Sequence, residues 1–192
     1  MHLNLADPRL IAGVVVIVLI IVVAAAIYVR NRRKTTAGFR KRFGSEYDRA
    51  VVEHGSERKA EAKLADRETR VENLKIRALT AAERGRFSSD WQSVQSRFVD
   101  HPKSAVTEAD ELVSSLMQAR GYPVADFDQR AADISVDHPR LVENYRSAHG
   151  VAVRLGRDEA STEDLRAAMI QYRSLFDELV EEQSPVGIKS VA

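Results

Sequence analysis

The residues that could bind a metal ion or move a proton are few and scattered in this chain. The histidines beyond the N-terminus are His54, His101, His138 and His149, and none has a Glu three residues before it, which excludes the Glu-x-x-His pair of di-iron bundles. His138 and His149 would share one face of a single helix, but roughly 16 Å would separate them, too far to ligate one ion. The spacing favours polar histidines at helix junctions and surfaces, and we predict no metal site.

Motifs for phosphate binding and for nucleophilic catalysis are also missing from the sequence. No two of the nine glycines lie within two residues of each other, so there is neither a P-loop nor a dinucleotide fingerprint. No G-x-S-x-G or H-E-x-x-H pattern occurs, and the lack of cysteine excludes disulfides, thiol chemistry and Cys-ligated zinc. We therefore predict no cofactor and no catalytic set of a known kind.

One polar patch is a candidate surface for a partner. Tyr145, Arg146 and His149 lie close together in sequence, but Tyr145 falls on an apolar helical stripe with Leu141 and is expected to be buried. Arg146 and His149 remain as the candidate contacts with another protein.

An unbroken apolar run lies near the N-terminus. Leu10 to Val29 form 20 consecutive residues without a charge. As a helix this run would be about 30 Å long, which matches the hydrocarbon core of a bilayer. The sequence therefore predicts a transmembrane helix.

Positive charge is concentrated directly after this run. One Lys or Arg precedes the run and seven follow it, a bias that is typical of a following segment that stays in the cytoplasm. These seven residues either contact an anionic membrane surface or serve only as a topology signal; they are Arg30, Arg32, Arg33, Lys34, Arg40, Lys41 and Arg42. The rival interpretation is a secretory signal cleaved at Ala24 to Ala26.

Two helical segments are expected between the apolar run and the main domain. Phe39, Phe43 and Tyr47 recur every four residues, which predicts a short amphipathic helix at the membrane interface. Residues 57–79 have the composition of a charged helical stalk, with a short apolar seam that carries Arg67 at a core position. The stalk either packs on the domain as a single helix or forms a homodimeric coiled coil.

The remaining pattern predicts an all-α bundle of about five helices. Thr80 and Glu83 form a capping-box pattern, and Gly121 followed by Pro123 suits a helix end. The expected organisation is a tail, a transmembrane helix, a basic juxtamembrane segment, a stalk, a helical bundle and a disordered tail, at residues 1–9, 10–29, 30–56, 57–79, 80–183 and 184–192.

The sequence Val-Asp-His-Pro occurs twice, at 99–102 and 136–139. Both copies fall at predicted breaks between helices. We expect Asp100 and Asp137 to be available to cap the next helix, and the following proline to fix the backbone.

The charge balance argues against nucleic acid as the main partner. From residue 45 onward the chain has 21 Lys or Arg against 27 Asp or Glu, a net charge of −6. Neutralising phosphates requires clustered Lys and Arg, and the acidic domain has no basic stripe.

Five stretches of the sequence form a recognisable set of motifs: Trp91 to Asp100, Ala109 to Val113, Arg120 to Pro123, His138 to His149 and Thr162 to Arg166. Together they resemble a family of uncharacterised bacterial proteins, usually labelled hypothetical or secreted. The resemblance implies a bacterial protein with an N-terminal membrane segment and a helical domain. It implies no activity and no functional residues.

These observations predict a single-pass protein of the bacterial inner (plasma) membrane, with its N-terminus outside and an all-α interaction or scaffolding module in the cytoplasm. The alternatives are a secreted or extracytoplasmic helical domain with an envelope role, and an enzyme with an unrecognised site. The expected partners are the lipid bilayer and either another protein or a second copy bound through the stalk.

Overall fold

The protein is all-α over the residues that the structure describes. The computed structural model describes the backbone of residues 8–123 and 125–181, and the side chains in these ranges from residue 17 onward. The predicted tail at 184–192 and most of the tail at 1–9 lie outside these ranges. The helices are α1 (Pro8–Phe43), α2 (Ser45–His54), α3 (Glu57–Glu72), α4 (Ala81–Arg97), α5 (Pro102–Ala119), α6 (Phe127–Asp137), α7 (Val142–Leu155) and α8 (Thr162–Glu181).

The predicted membrane span is corrected by the structure. Among the described residues, no helix combines the length and the apolar character that crossing a bilayer requires. The predicted localisation, a single-pass inner-membrane protein with a cytoplasmic domain, is contradicted by this finding.

The main core joins α4 to α8. It contains large side chains that face one another from neighbouring helices, and Trp91 of α4 stacks on Phe176 of α8 with ring centroids 4.7 Å apart. Aromatic pairs at this separation add stabilisation to the burial of apolar area. The five helices expected over residues 80–183 therefore share one hydrophobic core.

A second core joins the end of α1 to α2 and α3. Phe43 and Tyr47 are fully buried in it against Ala60 and Leu64 of α3, and Val136 of α6 closes it from the bundle side. Two of the aromatic residues predicted to lie at a membrane interface, Phe43 and Tyr47, are therefore core residues, and the third, Phe39, is partly buried against them. Their four-residue spacing serves a contact between helices within the protein.

The predicted stalk is a helix packed on the rest of the chain. Helix α3 contacts α2 and α6, and it ends at Glu72 rather than at residue 79. The segment that follows is held by a backbone hydrogen bond of 2.8 Å from the amide of Arg77 to the carbonyl of Arg120. The apolar seam of α3 is therefore covered by this chain's own helices.

Helix α6 lies between the two cores. Its residues 131–136 are all buried, because α3 packs on one side of the helix and α7 on another. Asp133 in this stretch accepts hydrogen bonds from Nε of Arg70 and from Nε2 of Gln129, both at 2.8 Å. The buried carboxylate thus ties α3 to α6.

Local signals correctly located several helix ends. Thr80 and Glu83 form the predicted capping box at the start of α4. Gly121 has φ of +100°, and the amide of Tyr122 donates to the carbonyl of Met117 at 3.0 Å, which closes α5 in a Schellman-type end. The carbonyl oxygen of Lys75 lies only 2.4 Å from where a Cβ on residue 121 would stand. Glycine is therefore required both by the backbone angle and by the close approach of the Lys75 carbonyl.

The two Val-Asp-His-Pro copies do fall at helix junctions, but their aspartates do not play the expected capping role. The N-cap of α5 is His101, without a side-chain capping bond, and Pro102 is the first residue of the helix. Asp137 instead accepts a hydrogen bond of 2.9 Å from the hydroxyl of Tyr122. Tertiary packing therefore uses a carboxylate that the local pattern assigned to a helix start.

Candidate functional site

The most distinctive polar group in the described chain is a buried carboxylate surrounded by arginines. Glu46, in the first turn of α2, is 3% exposed. Arg146 of α7 donates to it with two nitrogens, Nε to Oε1 at 2.9 Å and Nη2 to Oε2 at 3.3 Å. Arg67 of α3 donates to Oε2 at 3.3 Å. This one carboxylate therefore links three helices.

A third guanidinium group lies at the edge of this cluster. Nε of Arg49, one helical turn beyond Glu46, is 3.7 Å from Oε1 of that residue, and the Arg49 side chain is half exposed. Arg146 also lies 3.7 Å from a carboxylate oxygen of Asp128, but Asp128 is 87% exposed. Its charge is therefore largely screened by water. Guanidinium groups outnumber buried carboxylates here by three to one.

An open cleft of about 430 Å³ lies over the cluster, between α2 and α7. We call it the arginine cleft; its lining residues are Ser45, Glu46, Arg49, Glu143, Arg146 and Ser147. Across its mouth the hydroxyl of Ser45 donates to Oε2 of Glu143 at 3.1 Å. A neighbouring depression shares Arg49 and is also lined by Val52, which is 84% exposed. The surface along α2 thus offers charge and an apolar side chain together.

A second polar cluster lies inside the main bundle. Oδ1 of Asp110 on α5 accepts a hydrogen bond of 2.8 Å from the hydroxyl of Tyr172 on α8 and lies 3.3 Å from Nδ1 of His149 on α7. Burial raises the pKa of the Asp110 carboxyl, but the hydrogen bonds from His149 and Tyr172 outweigh it, so that the pKa is lowered. Burial beside this carboxylate raises the pKa of Tyr172.

Neighbouring side chains complete the bundle cluster. The ring of Phe127 stacks on His149 with centroids 3.7 Å apart, and Nε of Arg130 donates to the hydroxyl of Tyr145 at 3.2 Å. One face of the imidazole and its Nδ1 are therefore occupied by other parts of the protein. This arrangement joins α5, α6, α7 and α8 as a structural network. A His-Asp pair can also act as a base, but no nucleophile is placed beside it by a described contact.

The two residues predicted as a partner surface take part in different clusters. Arg146 belongs to the arginine cleft, and its side chain is 14% exposed. His149 belongs to the bundle cluster, and its side chain is 22% exposed. Each is used mainly within the protein, and only Arg146 lines the cleft.

The seven basic residues predicted to contact a membrane surface fall into two groups in the structure. Arg40 lies over the ring of Tyr47 and 3.4 Å from Asp48, and Arg42 pairs with Glu68 at 2.9 Å. Arg42 therefore pairs within the protein, and Arg40, although exposed, lies against a residue of the second core. The other five are exposed on α1; they are Arg30, Arg32, Arg33, Lys34 and Lys41.

Glu46 is the functional candidate that the sequence patterns did not reveal. Its position in α2 shows no motif, but Arg67 at a core position of the next helix was a usable signal. A buried arginine needs a carboxylate or carbonyl partner, because an isolated buried charge is costly. The signal indicates that a partner exists without identifying it.

Comparison of the chain with known protein families, curated proteins and solved structures finds no match. The resemblance seen in the sequence motifs therefore stays a prediction. Within the described ranges, no group of three His, Asp or Glu side chains is placed to hold a metal ion.

Proposed function

We propose that the protein is a helical interaction module that binds another protein through the arginine cleft. The observation that carries the proposal is the cluster of three guanidinium groups around Glu46, beside an open cleft between α2 and α7. Arginine is enriched at interfaces because its planar fork binds carboxylates and phosphates with two hydrogen bonds.

The ion pairs of Glu46 preorganise the cleft for binding. Glu46 accepts hydrogen bonds from two nitrogens of Arg146, and Arg67 of α3 donates to the same carboxylate. Arg146 is therefore held in place before a partner binds, which lowers the entropic cost of binding.

The composition of the surface favours a protein partner. Arg49 is shared by the cleft and the neighbouring depression, and Val52 is exposed in that depression. A central arginine beside an apolar side chain is a common arrangement in protein–protein contacts. By contrast, the bundle cluster around Asp110 uses its hydrogen-bonding groups to join helices, which favours a binding role over catalysis.

The test is site-specific photo-crosslinking of the full chain in its native cell. A photoreactive residue at position 52 is expected to capture a defined protein, whereas one at Ile170, 67% exposed on α8, is not. Arg49→Glu should abolish the crosslink by reversing the charge at the cleft. Arg166→Glu, at an exposed residue of α8 that pairs with Glu163, is the matched control and should leave it intact.

Two results would overturn the proposal. One is the same set of crosslinked proteins from positions 52 and 170. The other is a crosslink from position 52 that is unchanged by Arg49→Glu.

A further inference from the structure

We infer that the arginine cleft binds a phosphate group; this inference rests on the proposed function and specifies the chemistry of the partner. The first support is charge. Arg49 and Arg146 both lie within 3.7 Å of the same oxygen of Glu46, and Arg67 is 3.3 Å from the other oxygen. Glu46 is the buried carboxylate that the three guanidinium groups share. The other two carboxylates nearby, those of Glu143 and Asp128, are exposed to water, which screens their charges.

The second support is the direction of the donors. Arg49 lines the cleft from α2 and Arg146 from α7, and Ser45 and Ser147 line the same space. Arginine forms charge-assisted hydrogen bonds with phosphate, and a phosphate offers three acceptor oxygens to donors that come from two helices. A carboxylate, Glu46, already occupies the inner side of the guanidinium groups.

The third support is the start of α2. Ser45 is the first residue of this ten-residue helix, and its N-cap, Gly44, provides no side-chain capping bond. The amides of a helix's first turn carry partial positive charge, although in α2 the amide of Tyr47 already donates to the Gly44 carbonyl at 3.1 Å. They therefore add to the attraction that the arginines exert on an anion in the cleft.

One residue opposes anion binding and gives the site a second test. Glu143 is exposed at the mouth of the cleft, where its carboxylate accepts the hydrogen bond from Ser45. A phosphate entering the cleft must displace this contact and meet like-charge repulsion. Removing the charge of Glu143 should therefore strengthen binding.

Inorganic phosphate and a phosphorylated side chain of a partner share this chemistry, and the experiment separates them. The full chain is titrated with inorganic phosphate, with a phosphoserine peptide and with the same peptide unphosphorylated, at constant ionic strength. Calorimetry measures affinity, and the amide NMR shifts of Ser45 and Glu46 locate the site. We expect saturable binding of phosphate and tighter binding of the phosphopeptide than of the unphosphorylated peptide. Phosphate binding without preference for the phosphopeptide assigns the cleft to the free ion.

Three variants make the assignment specific. Arg49→Gln should weaken phosphate binding by about tenfold, the effect of losing one charge-assisted hydrogen bond. Glu143→Gln should strengthen binding severalfold, and Arg166→Gln on α8 should change it by less than about twofold, since exposed charges at a distance are screened. Thermal unfolding of each variant confirms that it is folded, which is expected because all three side chains are exposed.

The inference is overturned by a lack of saturable phosphate binding at Ser45 and Glu46, or by equal affinities of Arg49→Gln and Arg166→Gln. If phosphate fails to bind while the Arg49-dependent crosslink at position 52 persists, the interaction module stands and only the phosphate assignment falls. If phosphate binds and no such crosslink forms, the anion site stands and the proposed function falls.

Discussion

Arg146 and Glu46 are 100 positions apart in the sequence and form a two-nitrogen ion pair, at 2.9 and 3.3 Å, that joins α7 to α2. Glu46 is almost completely buried, and Arg146 is mostly buried. The pair therefore connects the second core to the bundle and also sets the inner wall of the arginine cleft.

Removing the carboxylate should destabilise the protein strongly. Glu46→Ala leaves Arg146 and Arg67 without their shared partner, and breaking a buried pair from one side costs about 3–5 kcal/mol. Urea unfolding followed by the fluorescence of Trp91, the single tryptophan, measures the loss. Arg49→Ala is the control; its half-exposed side chain should contribute less than about 1 kcal/mol. Equal losses for the two variants would contradict the central role of Glu46.

A substitution at Gly121 should be costly, and the same substitution in a neighbouring helix should not. Gly121→Ala places a Cβ 2.4 Å from the Lys75 carbonyl at a φ of +100°, so that either the backbone or the segment after α3 must move. We expect a loss of more than about 1 kcal/mol in the free energy of unfolding. Gly85→Ala lies within α4 in open space and should stabilise by about 0.5–1 kcal/mol. If Gly121→Ala leaves the free energy of unfolding unchanged, the close approach of the Lys75 carbonyl to residue 121 is absent.

The packing of α3 can be distinguished from a dimerising stalk. Leu64 is fully buried among side chains of the same chain, so Leu64→Ala should cost about 2–5 kcal/mol. The loss should be independent of protein concentration, because Leu64 packs against residues of its own chain. Sedimentation and unfolding at two concentrations test this expectation. A midpoint that rises with concentration in the wild type, but not in Leu64→Ala, would instead indicate a dimer.

The bundle cluster should make stability depend on pH in the acid range. The pKa of Asp110 is lowered in the folded state, so its ionised form stabilises the fold at pH values above about 3.9, the ordinary pKa of aspartate. This contribution is lost as the pH falls through the lower folded-state pKa. Asp110→Asn lacks this contribution of the ionised carboxylate. The difference in the free energy of unfolding between wild type and variant should therefore be largest near neutral pH and shrink below about pH 4. A difference that is constant with pH would contradict the lowered pKa.

Local signals in the sequence determined the helices and many of their ends. The capping box at Thr80 and the αL glycine at position 121 act through contacts within a few residues, so a pattern of four to six letters is enough to recognise them. Apolar spacing likewise identified Tyr145 as a core residue, which the structure shows fully buried, because a helix repeats every 3.6 residues wherever it packs.

Tertiary structure alone decided what those faces contact and which charges pair. Phe43 and Tyr47 have the spacing of an interfacial helix, and only the position of α3 shows that they lie in a core. Arg67 indicated a buried partner, but Glu46 could be identified only once α2, α3 and α7 were placed around it. Helical periodicity is a property of neighbouring residues, whereas an ion pair across 100 residues depends on how whole helices are packed.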